Sequence, residues 1–196
     1  MDREMRWYDY VSINSYWFAL TSRSQVLTPL IVPLLVQRFV GETVKGTYVG
    51  RMRLWALMVA VLVQALMGLL SDRSTLRWGR RRPFILIGTL AELVIFALIG
   101  LTTGMMGMAG YWALFALYTV SMVASNTAHA ATQGLIPDLV PEDKRGRVSG
   151  IKALLELPVP LIFSSFVVAR MVEAGNLWGA LIALMAVMVV SMVITM

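Results

Sequence analysis

The chain has 196 residues, 58% of them hydrophobic and only 14% charged. Soluble domains carry about 25% charged residues, so the composition excludes an ordinary water-soluble fold and makes a bilayer the expected solvent. A net charge of +6 would point to nucleic acid in a soluble protein; here the positive residues sit in short segments beside apolar runs, which is the pattern of membrane topology.

In chain order, Met1 to Asn14 is polar and mixed in charge. The apolar run after it is too long for a signal core and lacks a small-residue cleavage site, so the first span is expected to be retained. Crossing hydrocarbon takes about 20 apolar residues, and six such spans can be drawn, at about 13–36, 52–70, 83–103, 111–133, 148–171 and 177–196. Gly41 to Tyr48 is a polar turn after the first. After the second comes Gly68-Leu-Leu-Ser-Asp72-Arg73-Ser-Thr-Leu-Arg77-Trp78-Gly79-Arg80-Arg81-Arg82-Pro83. Charges this dense do not sit in hydrocarbon, so residues 71–82 form a loop at a membrane face. Gly104, Gly107 and Gly110 punctuate the next break. Residues 134–147 form a charged linker in which Pro137 and Pro141 resist helix continuation, and Glu173 to Asn176 is a minimal turn. The expected fold is an all-α membrane protein, a single six-helix bundle over residues 1–196.

Loop charge sets the orientation. Arg3 and Arg6 precede the first span; Arg73, Arg77, Arg80, Arg81 and Arg82 fill the second loop; Lys144, Arg145 and Arg147 lie in the fourth. The third and fifth loops hold no lysine or arginine, so both termini are expected in the cytoplasm. Arg38, Lys45, Arg51 and Arg53 flank the first external loop and are taken to snorkel to headgroups.

Three charges interrupt apolar spans: Arg23, Glu92 and Glu156. Such residues usually pair or face water. By helical rise they lie roughly 15, 13 and 12 Å from the arginine-rich face, a common layer near the midplane. Arg23 falls about 180° from Asn14 on the helical wheel, so it is expected to pair with Glu156, while the stripe Asn14, Thr21, Gln25 and Thr28 faces a cavity. Gln64 and Asn126 sit at similar height. A carboxylate in such a layer suits coupling to a proton, and uncharged hydrogen-bonding groups suit a polyhydroxylated or zwitterionic solute. The competing reading is that the charges only glue helices together. His129, the single histidine, has no companion ligand for a metal and is expected to be a hydrogen-bonded interfacial residue. Pro158 and Pro160 favour a kink just past Glu156. The absence of cysteine excludes disulfides and cysteine metal sites. No cofactor or metal site is expected.

The second loop resembles the signature of the major facilitator superfamily, a large family of solute transporters. Gly68, Asp72, Arg73, Gly79, Arg80 and Arg81 match it, although five residues separate Arg73 from Gly79 where most members have one. That spacing is similar to the sucrose-transporter and glycoside-cation-symporter branches, as is Gln133-Gly134-Leu-Ile-Pro137-Asp138-Leu139 followed by Arg145-Gly146-Arg147. The resemblance implies the N-terminal six-helix half of a secondary transporter of a small polar solute, with a sugar or glycoside favoured and a proton or sodium ion coupled. It also implies alternating access against a second six-helix half, either a C-terminal continuation or another copy. The expected location is a bacterial-type plasma membrane. Expected substrate and coupling residues are Arg23, Gln25, Glu92, Asn126 and Glu156. Asp72, capping one helix beside Arg80 and Arg81 at the start of the next, is the expected gate.

A membrane-embedded enzyme is disfavoured: no serine–histidine pair, two-histidine metal spacing or intramembrane aspartate pair is present, with Asp72 and Asp138 in loops. A non-transporting scaffold or assembly subunit on the same fold stays open, since fold does not fix function.

Overall fold

The computed structural model describes residues 6–75 and 78–196. Arg3 and Arg77, counted above among the orientation charges, lie outside the described residues. Among the described residues six helices are long and apolar enough to cross a membrane: α1 (Trp7–Val40), α2 (Lys45–Arg73), α3 (Arg82–Gly104), α4 (Gly107–Leu139), α5 (Glu142–Glu173) and α6 (Leu177–Thr195). The protein is an all-helical membrane bundle.

α1 is central. It packs against α2, α4, α5 and α6, while α4 packs against α2 and α3, and α6 against α3. Burial follows this arrangement. The most apolar stretch of α1 is 56% buried, whereas those of α2 and α5 are only 11% and 17% buried. α2 and α5 therefore present most of their apolar surface outward. Tyr16, Leu27, Ile31 and Leu35 of α1 are sealed in the core with Phe96 of α3, Leu114 of α4 and Leu184 of α6.

Lipid tails are as apolar as leucine, so close backbone approach and interhelical hydrogen bonds hold such helices together. At Gly88 of α3 a Cβ would stand 2.7 Å from the Ala124 carbonyl oxygen and 2.9 Å from the Ala128 Cβ, so α3 and α4 meet at a distance only glycine permits. At the next residue, Thr89 Oγ1 and Tyr16 Oη share a 2.5 Å hydrogen bond between α3 and α1. Asn176 caps α6 by accepting from the Gly179 N–H at 2.8 Å.

Two helices are irregular where proline dictates it. α1 widens to a π-turn over Leu27–Ile31, around Pro29 and just before Pro33, both lacking the N–H an α-turn uses. α5 is regular over Arg145–Glu156, breaks at Leu157 (φ −117°, ψ −74°), resumes over Pro158–Phe163 and widens again over Ser164–Val168. Pro158 and Pro160 cannot donate to the carbonyls of Leu154 and Glu156, so the ladder fails directly after Glu156.

Candidate functional site

The charged layer divides into a sealed pair and an open cavity. Arg23 Nε donates to Glu92 Oε1 at 2.7 Å, with side chains 6% and 0% exposed. Ser121 of α4 completes the set: its hydroxyl donates to Glu92 Oε1 at 2.7 Å and accepts from Arg23 Nη2. α1, α3 and α4 are thereby locked at one level. Glu92 Oε2 is buried with no partner among the described residues.

This corrects the expected Arg23–Glu156 pairing. The close α3–α4 crossing at Gly88 brings Glu92, one turn further along α3, up to Ser121 and within reach of Arg23. Glu156 shares a cavity with Arg23 but pairs instead with Lys152, Nζ to Oε2 at 3.6 Å, with side chains 27% and 37% exposed. The helical-wheel angle alone could not choose between the two carboxylates.

A cavity of about 270 Å³ opens among α1, α4 and α5. Thr21, Arg23 and Gln25 line it from α1, Ser125 and Asn126 from α4, and Glu156 from α5. Arg23 therefore spans the sealed pair and the cavity wall, and the structure brings Arg23, Gln25, Asn126 and Glu156 to one space with Glu92 behind it. The expected polar stripe of α1 is divided. Asn14 is fully buried, donating to the Tyr10 and Val148 carbonyls at 2.9 and 3.1 Å, and Thr28 is hydrogen-bonded to the Tyr118 hydroxyl at 3.0 Å. Thr21 and Gln25 remain at the cavity. Gln25 Oε1 accepts from Ser164 at 3.1 Å, tying α1 to the second π-turn. Asn126 Nδ2 donates to the Met122 carbonyl at 2.8 Å.

Sequence reasoning missed three contributors. Trp17 lines the cavity with its indole N–H buried and without a partner among the described residues. Lys152 Nζ lies 3.7 Å from the centre of the Trp17 ring, a cation–π contact. His129 stands edge-on to the same ring at 5.2 Å, with the Gln133 amide 3.2 Å from its Nε2; it is part of the cavity wall as well as hydrogen-bonded. The signal was spacing. Trp17 and Thr21, Ser125 and His129, and Lys152 and Glu156 are each four apart, hence on one helical face.

The second cluster is at the arginine-rich face. Arg81 Nη2 pairs with Asp72 Oδ1 at 2.6 Å, Arg81 Nε with Asp138 Oδ2 at 2.9 Å, and Arg81 Nη1 donates to Ser71 at 3.2 Å. Arg80 Nη2 reaches Asp138 Oδ1 at 2.5 Å. The hydrogen bond and charge of Asp138 push the Arg80 guanidinium pKa above its ordinary value. Gly79 makes the preceding turn at φ +95°, a conformation costly for other residues. Asp72, Gly79, Arg80 and Arg81 thus act together, clamping the ends of α2, α3 and α4. Gly68 has open space around its Cα, and Arg73, in the last turn of α2, makes no ion pair among the described residues. Asp138, read from sequence as a loop residue within the branch-like segment and given no gating role, is the hub.

The described residues form a membrane helical bundle with a polar, charged cavity and a charge-clamped loop. The family model for MFS/sugar transport proteins matches residues 31–196, and the chain belongs to that family within the major facilitator superfamily. It is an integral multi-pass membrane protein. A search of curated proteins finds no match.

Proposed function

We propose that the chain is the N-terminal six-helix half of a secondary transporter that carries a sugar or glycoside together with a proton or sodium ion. The assignment to the sucrose-transporter and glycoside-cation-symporter branches rests on the loop spacing. The observation that carries the reading is the cavity: hydrogen-bonding groups from three helices surround one water-reachable carboxylate, Glu156, inside an otherwise apolar bundle. Neutral hydroxyls suit Thr21, Gln25 and Asn126, and Glu156 suits the coupling ion. The outward apolar faces of α2 and α5 suit a second six-helix half, whose rocking against this one gives alternating access. The loop arginines support a cytoplasmic position for both termini.

The test is uptake into proteoliposomes of the purified protein assembled with its second six-helix half, with a panel of labelled neutral glycosides under imposed proton or sodium gradients. Saturable, gradient-dependent uptake that falls on Asn126→Leu supports the reading. Neither uptake nor binding across the panel would overturn it. Lys152→Met is expected to uncover the Trp17 ring and release Glu156 from its partner. Solute-induced tryptophan fluorescence change should grow, and the ion dependence of uptake should shift; identical titrations would remove Lys152 from the site.

Asp138 holds two arginines of the clamp, Asp72 one. Asp138→Asn should therefore speed maleimide labelling of a Leu139→Cys reporter more than Asp72→Asn does. Equal rates in both variants and the parent would leave these contacts without a gating role.

A further inference from the structure

A pocket of about 510 Å³ lies where α3 begins and α4 and α6 end. Arg80, Arg81 and Arg82 face it against a single carboxylate, Asp138. Arg80 and Arg81 are both engaged by that carboxylate, and Arg81 also by Asp72 from outside the pocket, so Arg82 alone is left over. Arg82 is exposed and makes no ion pair or side-chain hydrogen bond among the described residues. The pocket therefore keeps a surplus of positive charge. Apart from Thr195 its other side chains are apolar, with buried Ile85 behind and Trp78 and Leu139 exposed at its edge.

We infer that this pocket binds the headgroup and upper acyl chain of an anionic phospholipid, with the phosphate at Arg82. The chemistry is specific. A free anion would satisfy the guanidinium but leave the hydrocarbon wall bare, and a zwitterionic lipid would bring its own cation against the arginines. A lipid of net negative charge satisfies both surfaces, and Trp78 suits headgroup depth. Basic pockets between helix ends at a membrane face are the usual seat of such lipids. Occupancy also bears on the clamp. An anion at Arg82 offsets the mutual repulsion of three consecutive guanidiniums, so the Arg80–Asp138 and Arg81–Asp138 contacts are held more firmly when lipid is bound.

The test is native mass spectrometry of the purified protein released from nanodiscs of phosphatidylcholine containing phosphatidylglycerol. The parent should retain phosphatidylglycerol in preference to phosphatidylcholine. Arg82→Gln should lower that retention about fivefold, the effect of one cationic side chain near the surface, and Arg82→Lys should keep most of it. Arg170→Gln, in the last turn of α5, should leave it unchanged. Equal retention of the two lipids, an unchanged Arg82→Gln, or the same loss in Arg170→Gln overturns the proposal. So does displacement of the lipid by inorganic phosphate at millimolar concentration, which would make the pocket a simple anion site.

Discussion

Glu156→Gln is expected to abolish most gradient-driven accumulation of the solute while leaving solute exchange across the membrane intact. The side chain lines the cavity and is 37% exposed, with Lys152 held only loosely at 3.6 Å. It is therefore within reach of water. Glutamine keeps the shape and hydrogen bonding but not the charge, so solute contacts survive and linkage to the ion is lost. Linkage between two ligands is typically worth about 1–3 kcal/mol, or 5- to 150-fold, and the accumulation ratio should drop within that range. The measurement is a comparison of accumulation with counterflow at matched protein content. Accumulation at the parent level would remove Glu156 from coupling and leave the cavity without an ion site.

Glu92→Gln should behave in the opposite manner, acting through the fold. It strands the Arg23 guanidinium, 6% exposed, beside a neutral amide. Breaking one partner of a buried ion pair costs about 3–5 kcal/mol, whereas replacing both by apolar groups is often close to neutral. Glu92→Gln alone should therefore lower thermal stability in detergent sharply, and Arg23→Met with Glu92→Leu should recover most of the loss. Arg23 also lines the cavity, so the double variant should fold yet bind solute less well. A Glu92→Gln protein as stable as the parent, with no gain from the double variant, would mean the pair is not what joins α1, α3 and α4. The two carboxylates, equivalent by depth in the sequence, are separated in role by packing.

That separation shows where sequence reasoning ends. The all-helical membrane class was legible because apolar length and loop charge are properties of the chain itself. So was the arginine loop, since Asp72, Gly79, Arg80 and Arg81 lie within ten residues. The partner of Arg23 was not. It depends on how closely α3 approaches α4, which Gly88 decides against Ala124 and Ala128, and no periodicity along one helix reports on a crossing between two others. Asp138 was missed for the same reason, lying 58 residues from Arg80. Trp17 and Lys152 are further apart still, and each alone reads as an ordinary interfacial residue.

The interruption of α5 has a mechanical meaning. Its stretch Arg145–Glu156, 12 residues or about 18 Å long, ends at Leu157. Beyond it two prolines withhold the donors that would make one stiff rod. The segment is a short lever, jointed at one end and carrying Glu156 and Lys152 near the joint. Because Glu156 adjoins the joint, a tilt about Leu157 would carry the far end at Arg145 through the largest arc and leave the carboxylate nearly in place beside the cavity.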